Sequence, residues 1–381
     1  MRTHSALVLA FVLGFGACSS ASRHRSVASV ESTFTASAAS QSEDEVGSTR
    51  NARIATPKPA NGSTLTYFAG ELSEAERAEL AALAPGVKIV TGLSREQALE
   101  RAGEAHGIDA RFATREFLAK APQLVWVQAM SAGVDRYLAP ALVDNDGIVL
   151  TNMRGVHGPA IADHAFGMLL ALTRDLSFFR EQQAARRWAR EGSGARPIAL
   201  KGRTLLVVGL GGIGSEVAQR GHGFGMRVIA TRRSDAEAPK FVERVGKPEE
   251  LLALLPEADV VAICVPLTKE TERLFDARAF AAMKPGSYLV NVARGKCVDT
   301  EALMAALRDK KLAGACLDVT EPEPLPADHP LWTLPNVLIT PHVSSDAELT
   351  DERSWKLLRE NVRRFGAGEP LLNVVDKRVG Y

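Results

Sequence analysis

The chain has 381 residues, a formal net charge of +1, 46% hydrophobic residues and four cysteines. That length exceeds one average domain, so two domains with substantial cores are expected. The near-neutral charge excludes an extended nucleic-acid surface, no stretch reaches the length of a spanning helix, and Cys18, Cys264, Cys297 and Cys316 show neither metal-ligand spacing nor a paired framework, so the body reads as a metal-free thiol protein.

Arg2 and His4 precede an apolar run from Ala6 to Phe15, followed by Gly16-Ala17-Cys18-Ser19-Ser20. A basic start, a short apolar core and small residues before a cleavage point predict a secretory signal over residues 1–18. The small residues before Cys18 resemble the lipobox of bacterial lipoproteins, which implies a lipid anchor on that cysteine; Phe15 departs from the aliphatic residue usual in that motif. Residues 19–62 are rich in Ser, Ala, Thr and Asn and read as a disordered linker, because nothing there can bury a core.

From residue 63 the pattern is α/β. Strands are expected at Leu65–Phe68, Val87–Val90, Leu124–Gln128 and Ile148–Thr151, with helices opened by capping boxes at Ser73/Glu76 and Ser94/Gln97. Pro159 to Thr173 and Leu176 to Arg190 read as helices. The run Thr204–Val208, a short apolar strand, then leads into Gly209, Gly211 and Gly214 at G-x-G-x-x-G spacing, a stretch without helix breakers, and a second strand at Arg227–Thr231. This context marks a dinucleotide-binding turn: Gly209 for the tight turn, Gly211 for close approach of a pyrophosphate, Gly214 for helix–strand packing, with Gly212 and Ile213 opening the helix whose N–H groups face the anion. Further strands end at Pro266 (Val260–Val265), at Ala293-Arg294-Gly295 (Tyr288–Val292), at Asp318 (Ala315–Leu317) and at Pro341-His342 (Val337–Thr340), and a last helix covers about Ala347–Phe365 before a tail to Gly380-Tyr381. Alternating strands and helices of this kind predict parallel sheets, whose C-terminal edges bind ligands.

Arg294, Glu323 and His342 all fall at such edges. A guanidinium can grip a carboxylate and polarise the neighbouring carbonyl, an imidazolium can protonate the oxygen as hydride reaches carbon, and a carboxylate beside an imidazole favours its charged form and fixes its tautomer. These are the groups that reduction of a 2-oxo acid requires. Individually each also fits a solvated loop residue.

Five ordered motifs resolve that ambiguity: Ala132-Gly133-Val134-Asp135, the glycine turn, Asn291-Val292-Ala293-Arg294-Gly295, Leu317-Asp318-Val319 with Glu323 beyond it, and Pro341-His342-Val343-Ser344. In order and spacing, over roughly residues 63–381, the chain resembles the D-isomer-specific 2-hydroxyacid dehydrogenases, which include glyoxylate/hydroxypyruvate reductases and phosphoglycerate dehydrogenase. The resemblance implies two Rossmann-like doubly wound domains with the active site in the cleft: a substrate domain (63–157, completed by 345–381) and an NAD(P)-binding domain (158–344). It implies that Arg294 holds the substrate carboxylate and carbonyl with help from the N–H groups of Ala132 and Gly133, that His342 is the acid/base and Glu323 its partner, and that Pro266, Ala293 and Asp318 line the cofactor, Asp318 at the nicotinamide end. It further implies a homodimer joined through the cofactor domains and the helices near Pro159–Arg190.

Two departures matter. NAD-preferring members carry an acid after the second cofactor-domain strand; here the chain reads Thr231-Arg232-Arg233-Ser234. Arg232, Arg233 and Ser234 can pair with a 2′-phosphate, so NADP(H) is favoured and NAD(H) remains an alternative. The signal-like start points to export, whereas nicotinamide chemistry and unpaired Cys264, Cys297 and Cys316 suit a reducing cytoplasm, so translation from a later start is its rival. The expected reaction is NADPH-dependent reduction of a small 2-oxo acid to the D-2-hydroxy acid. Its rivals are a dinucleotide-sensing, partner-binding protein like the family's C-terminal-binding-protein corepressors, and a phosphoglycerate-type dehydrogenase, which the lack of a regulatory domain after Tyr381 disfavours. The side-chain pocket, expected around Phe68–Gly70, Thr91–Leu93 and Met130, reads as small or apolar.

Overall fold

The structure is a computed structural model, and it describes residues 64–194 and 197–381. The signal, the lipobox-like Cys18 and the whole linker lie outside the described residues. No described helix is long and apolar enough to cross a membrane.

A first parallel sheet contains β1 (Leu65–Phe68), β2 (Val87–Val90), β3 (Gly107–Asp109), β4 (Trp126–Gln128) and β5 (Val149–Thr151), in the order β2-β1-β3-β4-β5. Between them run α1 (Glu74–Leu83), α2 (Arg95–Glu100), α3 (Arg115–Lys120) and α4 (Pro140–Val143). Ser73 and Ser94 form the expected capping boxes of α1 and α2. β3 was not expected: it is three residues long and begins at a glycine. Gly107 is required there because a Cβ would come within 2.9 Å of the Trp126 ring and 3.0 Å of Tyr67.

Two helices follow, α5 (Gly158–Thr173) and α6 (Leu176–Ala184). The second stops short of Arg190 because the chain adopts a left-handed backbone at Arg186, φ 54°. A second parallel sheet then forms from β6 (Thr204–Val208), β7 (Arg227–Thr231), β8 (Val242–Gly246), β9 (Val260–Ile263), β10 (Ser287–Asn291), β11 (Leu312–Leu317) and β12 (Val337–Ile339), in the order β12-β11-β10-β9-β6-β7-β8. α7 (Gly212–Gly223), α8 (Leu251–Leu254), α9 (Ala277–Ala282) and α10 (Thr300–Arg308) connect its strands. The order reverses between β6 and β9, the switch point at which open α/β sheets bind ligands. Both sheets are therefore doubly wound, as the sequence predicts. β8, with three exposed positions in VERVG, is an additional edge strand whose charged middle carries no apolar run for the sequence to signal.

α11 (Glu348–Ala367) returns to the first sheet. Its Leu357, Leu358, Val362 and Phe365 share a core with Tyr67, Leu80 and Trp126. Buried Asn361 fastens it: its Nδ2 donates to Gln128 Oε1 (3.0 Å) and Leu372 O (3.3 Å), and its Oδ1 accepts the Leu372 N–H at 2.8 Å.

Candidate active site

The glycine turn sits after β6. Gly209 adopts φ +98°, and a Cβ there would crowd Val265 and the Cys264 carbonyl at 2.8–3.0 Å. A Cβ on Gly214 would lie 2.1 Å from Gly209 O, so helix and strand meet only through a glycine. A Cβ on Gly211, in contrast, would point into open space, which leaves its backbone free to approach a ligand. Gly212 and Ile213 form the first turn of α7, where amide N–H groups lack intrahelical acceptors. The cradle thus fits a pyrophosphate.

Beyond β7, Arg232 Nη1 donates to Ala236 O (2.7 Å) and Glu237 O (3.3 Å), while Arg233 and Ser234 are exposed. Pro266, after β9, accepts from Thr271 Oγ1 at 2.6 Å. The cysteines of this half are free thiols. Burial pushes Cys264 up to about 12 and Cys297 up to about 11, so both stay protonated and unreactive.

Arg294 follows β10, Asp318 and Glu323 follow β11, and His342 follows β12, so three adjacent strands deliver the set. Arg294 is oriented by its own loop and by the facing sheet. Its Nη1 donates to Ala293 O (2.8 Å) and its Nε to Asp135 Oδ1 (3.1 Å), an ion pair that spans the two sheets. Nη2 lies against Gly133, where a Cβ would come within 1.9 Å of it. Asn291 tightens the turn: its Oδ1 accepts the Ala293 N–H (3.1 Å) and its Nδ2 donates to Arg294 O (3.0 Å). Gly295 packs on the Thr320–Glu321 backbone too closely for any side chain, which sets Arg294 beside the segment leading to Glu323.

Ser131 Oγ donates to Gly133 O (2.7 Å) and Asn152 Nδ2 to Ala132 O (2.8 Å). These two bonds tie back the carbonyls of the Ala132–Gly133 loop, beside which the Arg294 guanidinium lies.

His342 sits at φ 58°, a left-handed backbone that a histidine seldom takes. Its Nδ1 is 2.6 Å from Glu323 Oε1, with both side chains about two-fifths exposed. This pairing engages Nδ1 and not Nε2. The strain at His342 is held by Asp318, whose side chain is 1% exposed. Asp318 Oδ1 accepts from Thr340 Oγ1 (2.7 Å) and Val343 N–H (3.0 Å), and Oδ2 from Ser344 N–H (3.1 Å). Burial alone would raise this carboxyl, but the donors from Ser344, Thr340 and Val343 outweigh it and hold it below the usual carboxylate range. The carboxylate is thus committed to the loop carrying His342, a duty its sequence position did not suggest. His164 on α5 completes the clasp through Thr340 Oγ1 at 2.9 Å.

The expected side-chain pocket differs in one respect. The Arg111 guanidinium lies against Gly70, where a Cβ would be 2.7 Å from Nη2, and pairs with Asp109 at 3.3 Å. A paired cation therefore borders a wall that sequence alone makes small and apolar.

A dinucleotide cradle facing a guanidinium and a carboxylate-paired imidazole defines a nicotinamide-dependent dehydrogenase. The profile of the D-isomer specific 2-hydroxyacid dehydrogenase NAD-binding domain matches residues 166–344. The chain is 38% identical over 275 residues to a glyoxylate reductase of Korarchaeum cryptofilum, covering 69% of this chain and 80% of that one. A D-isomer specific 2-hydroxyacid dehydrogenase family protein from Aeromonas salmonicida superposes with a TM-score of 0.71 at 38% identity, covering 83% of this chain and all of the other. A family member from Xanthobacter autotrophicus, solved with NADPH and MES, gives 0.69 at 32% identity over 84% of this chain and all of its own. The chain belongs to the D-isomer specific 2-hydroxyacid dehydrogenases and is an NAD(P)-dependent oxidoreductase.

Proposed function

We propose that the protein reduces a small 2-oxo acid of the glyoxylate or hydroxypyruvate type to the D-2-hydroxy acid, with NADP(H) preferred. The observation that carries the reading is the pairing of His342 with Glu323 beside the Arg294–Asp135 bridge across the cleft. The cofactor, its pyrophosphate held in the glycine cradle, would supply the hydride from its reduced nicotinamide. Arg294 holds the substrate carboxylate and draws electron density from the carbonyl, assisted by the Ala132 and Gly133 N–H groups. His342 gives the proton at Nε2 to the carbonyl oxygen, so hydride on carbon and proton on oxygen together make the alcohol. Glu323 keeps the proton of Nδ1 in place and stabilises the imidazolium before transfer.

The cofactor preference rests on Arg232-Arg233-Ser234, with no acid at the β7 terminus, and is supported by NADPH in the Xanthobacter autotrophicus relative. The test is NADPH and NADH oxidation by the full chain with glyoxylate, hydroxypyruvate and pyruvate. Turnover with NADPH well above NADH is expected. Binding of cofactor without turnover on any of these acids would favour a sensing protein.

A second reading, a phosphoglycerate-type dehydrogenase, has one observation in its favour: Arg111 beside Gly70. Its pairing with Asp109 offsets the charge and ranks this reading second. Including 3-phosphohydroxypyruvate in the assay separates the two.

We infer a homodimer through the face carrying α5 and α6, supported by Trp188 at 96% and Leu176 at 51% exposure; light scattering of the eluting protein should give twice the chain mass. The motif around Cys18 leads us to infer acylation there, which intact-mass analysis of membrane and soluble fractions would test.

A further inference from the structure

The two basic residues after β7 do different things. Arg232 is turned into its own loop, holding the carbonyls of Ala236 and Glu237, and its buried Nε has no partner among the described residues. Arg233 is the available cation: among the described residues it forms no ion pair within 4.0 Å, while Lys247 Nζ donates to its backbone carbonyl at 3.3 Å. Glu270, on the loop after β9, is held below the usual carboxylate range by hydrogen bonding with Thr268 and, more weakly, by the charge of Arg233. Arg233 is exposed just past the C-terminal end of β7, the strand next to the one that leads into the glycine turn.

Among the described residues, an aromatic ring from the C-terminal tail lies against the Arg233 side chain. The guanidinium carbon lies 4.4 Å from the ring centroid of Tyr381. The segment that presents this ring is firmly seated on the first sheet. Val374 bridges Thr151, and Val375 N–H donates to Leu150 O at 2.8 Å. Asn373 Nδ2 donates to Asn152 O (3.2 Å) and Arg154 O (2.9 Å). Lys377 Nζ donates to the carbonyls of Leu142 (3.0 Å), Asn145 (2.5 Å) and Ile148 (2.8 Å). A turn at Asp376, closed by the Gly380 N–H to Asp376 O at 2.8 Å with Gly380 at φ 91°, then aims residue 381 across the cleft.

We propose that Tyr381 is a cofactor-discriminating residue, holding Arg233 from the substrate side so that its guanidinium edge is set for the 2′-phosphate of NADP(H). The inference rests on the NADP(H) reading above. An aromatic ring takes the face of a guanidinium, and a phosphate takes its in-plane N–H groups, so both contacts form at once. Holding the face removes rotamers that a free surface arginine would give up only on binding. The ring contributes to the phosphorylated cofactor alone, because an unphosphorylated ribose offers Arg233 no anion.

The test is calorimetric titration of the full chain with 2′,5′-ADP and with 5′-AMP as probes, repeated with NADPH and NADH. An exposed cation–π contact implies that Tyr381→Leu weakens 2′,5′-ADP and NADPH by about two- to fivefold. Binding of 5′-AMP and NADH should not change, and Tyr381→Phe, which keeps the ring, should bind as wild type. In an Arg233→Met background the Leu substitution should add nothing. Equal weakening of phosphorylated and unphosphorylated probes, or no weakening of either, overturns the role of Tyr381. A wild-type chain that binds 2′,5′-ADP no better than 5′-AMP overturns the underlying NADP(H) reading instead, and is recognised without any variant.

Discussion

Asp318 and His342 are joined through the backbone: the His342 N–H donates to Asp318 O at 2.8 Å, while the Asp318 carboxylate takes the N–H groups of the two residues that follow His342. One buried acid thus fixes the turn that puts the imidazole against Glu323. In Asp318→Asn, a carboxamide offers one acceptor oxygen and an NH2 that cannot accept. At least one donor among Thr340, Val343 and Ser344 is left unpaired. A hydrogen bond to a charged group contributes about 1.5–3 kcal/mol, so kcat should fall by roughly tenfold to a hundredfold. The cofactor dissociation constant should stay within about twofold if the residue acts on the His342 loop. A large rise in that constant with kcat preserved would return Asp318 to a direct cofactor contact.

The same clasp predicts an acid limit. The Asp318 carboxyl is held below its ordinary value, so its stabilising effect is complete above the unfolded value of about 3.9 and is lost as pH falls through the lower folded value. Asp318 therefore leaves stability flat between pH 5 and 8 and contributes to a loss only below about pH 4. Asp318→Asn should lower the denaturation midpoint at pH 7 and narrow its gap from wild type as the pH drops toward 3. A gap that is constant with pH would refute the ionised clasp.

His342→Gln keeps a polar side chain of similar reach but has no proton to give at Nε2. Reduction should fall by about 10²–10⁴-fold, the usual size of a general-acid effect. Cofactor binding, followed by nucleotide fluorescence, should remain near wild type. An equal loss of both would remove His342 from the proton-transfer role.

What the sequence made legible depended on how local the cause was. Thr204–Val208, the glycine turn and Arg227–Thr231 follow from adjacent residues, as do the capping boxes at Ser73 and Ser94, and all are found where expected. β3 was invisible because Gly107-Ile108-Asp109 becomes a strand only through packing of Trp126, Tyr67 and Phe365 around a missing side chain. β8 was invisible because an edge strand exposes charge. Arg294, Glu323 and His342 could be chosen by type and position, and their strands do end side by side. The groups that aim them could not: Asp135 meets Arg294 from 159 residues away, and Asp318 acts through a loop whose geometry no local pattern encodes.

Asn361 should be a stability residue for the first sheet and not a residue of the reaction. Asn361→Leu keeps the branched shape at this position of α11 but strands the Leu372 N–H, which the amide oxygen now accepts, while Gln128 Oε1 keeps its bond from Thr151 Oγ1. A group left unpaired in this way costs about 1–3 kcal/mol. In a protein of this size that is a fall of roughly 2–10 °C in the thermal midpoint. An unchanged midpoint would show that α11 is held by its Leu357, Val362 and Phe365 packing alone.

Gly133→Ala tests how closely the two sheets must meet. The added Cβ would sit 1.9 Å from Nη2 of Arg294 and 3.1 Å from Asp135, so either the guanidinium shifts or the 131–133 loop withdraws. Both outcomes move the carboxylate-binding groups apart while leaving the glycine cradle after β6 untouched. The KM for the 2-oxo acid should rise by at least about tenfold, the cost of misplacing one charge-assisted hydrogen bond. Affinity for NADPH should be unchanged. Arg294→Lys should raise the same KM without the steric conflict, because an ammonium cannot grip a carboxylate with two parallel N–H groups. If Gly133→Ala retained a wild-type KM while Arg294→Lys did not, Arg294 would hold substrate from a position that its approach to Gly133 does not determine.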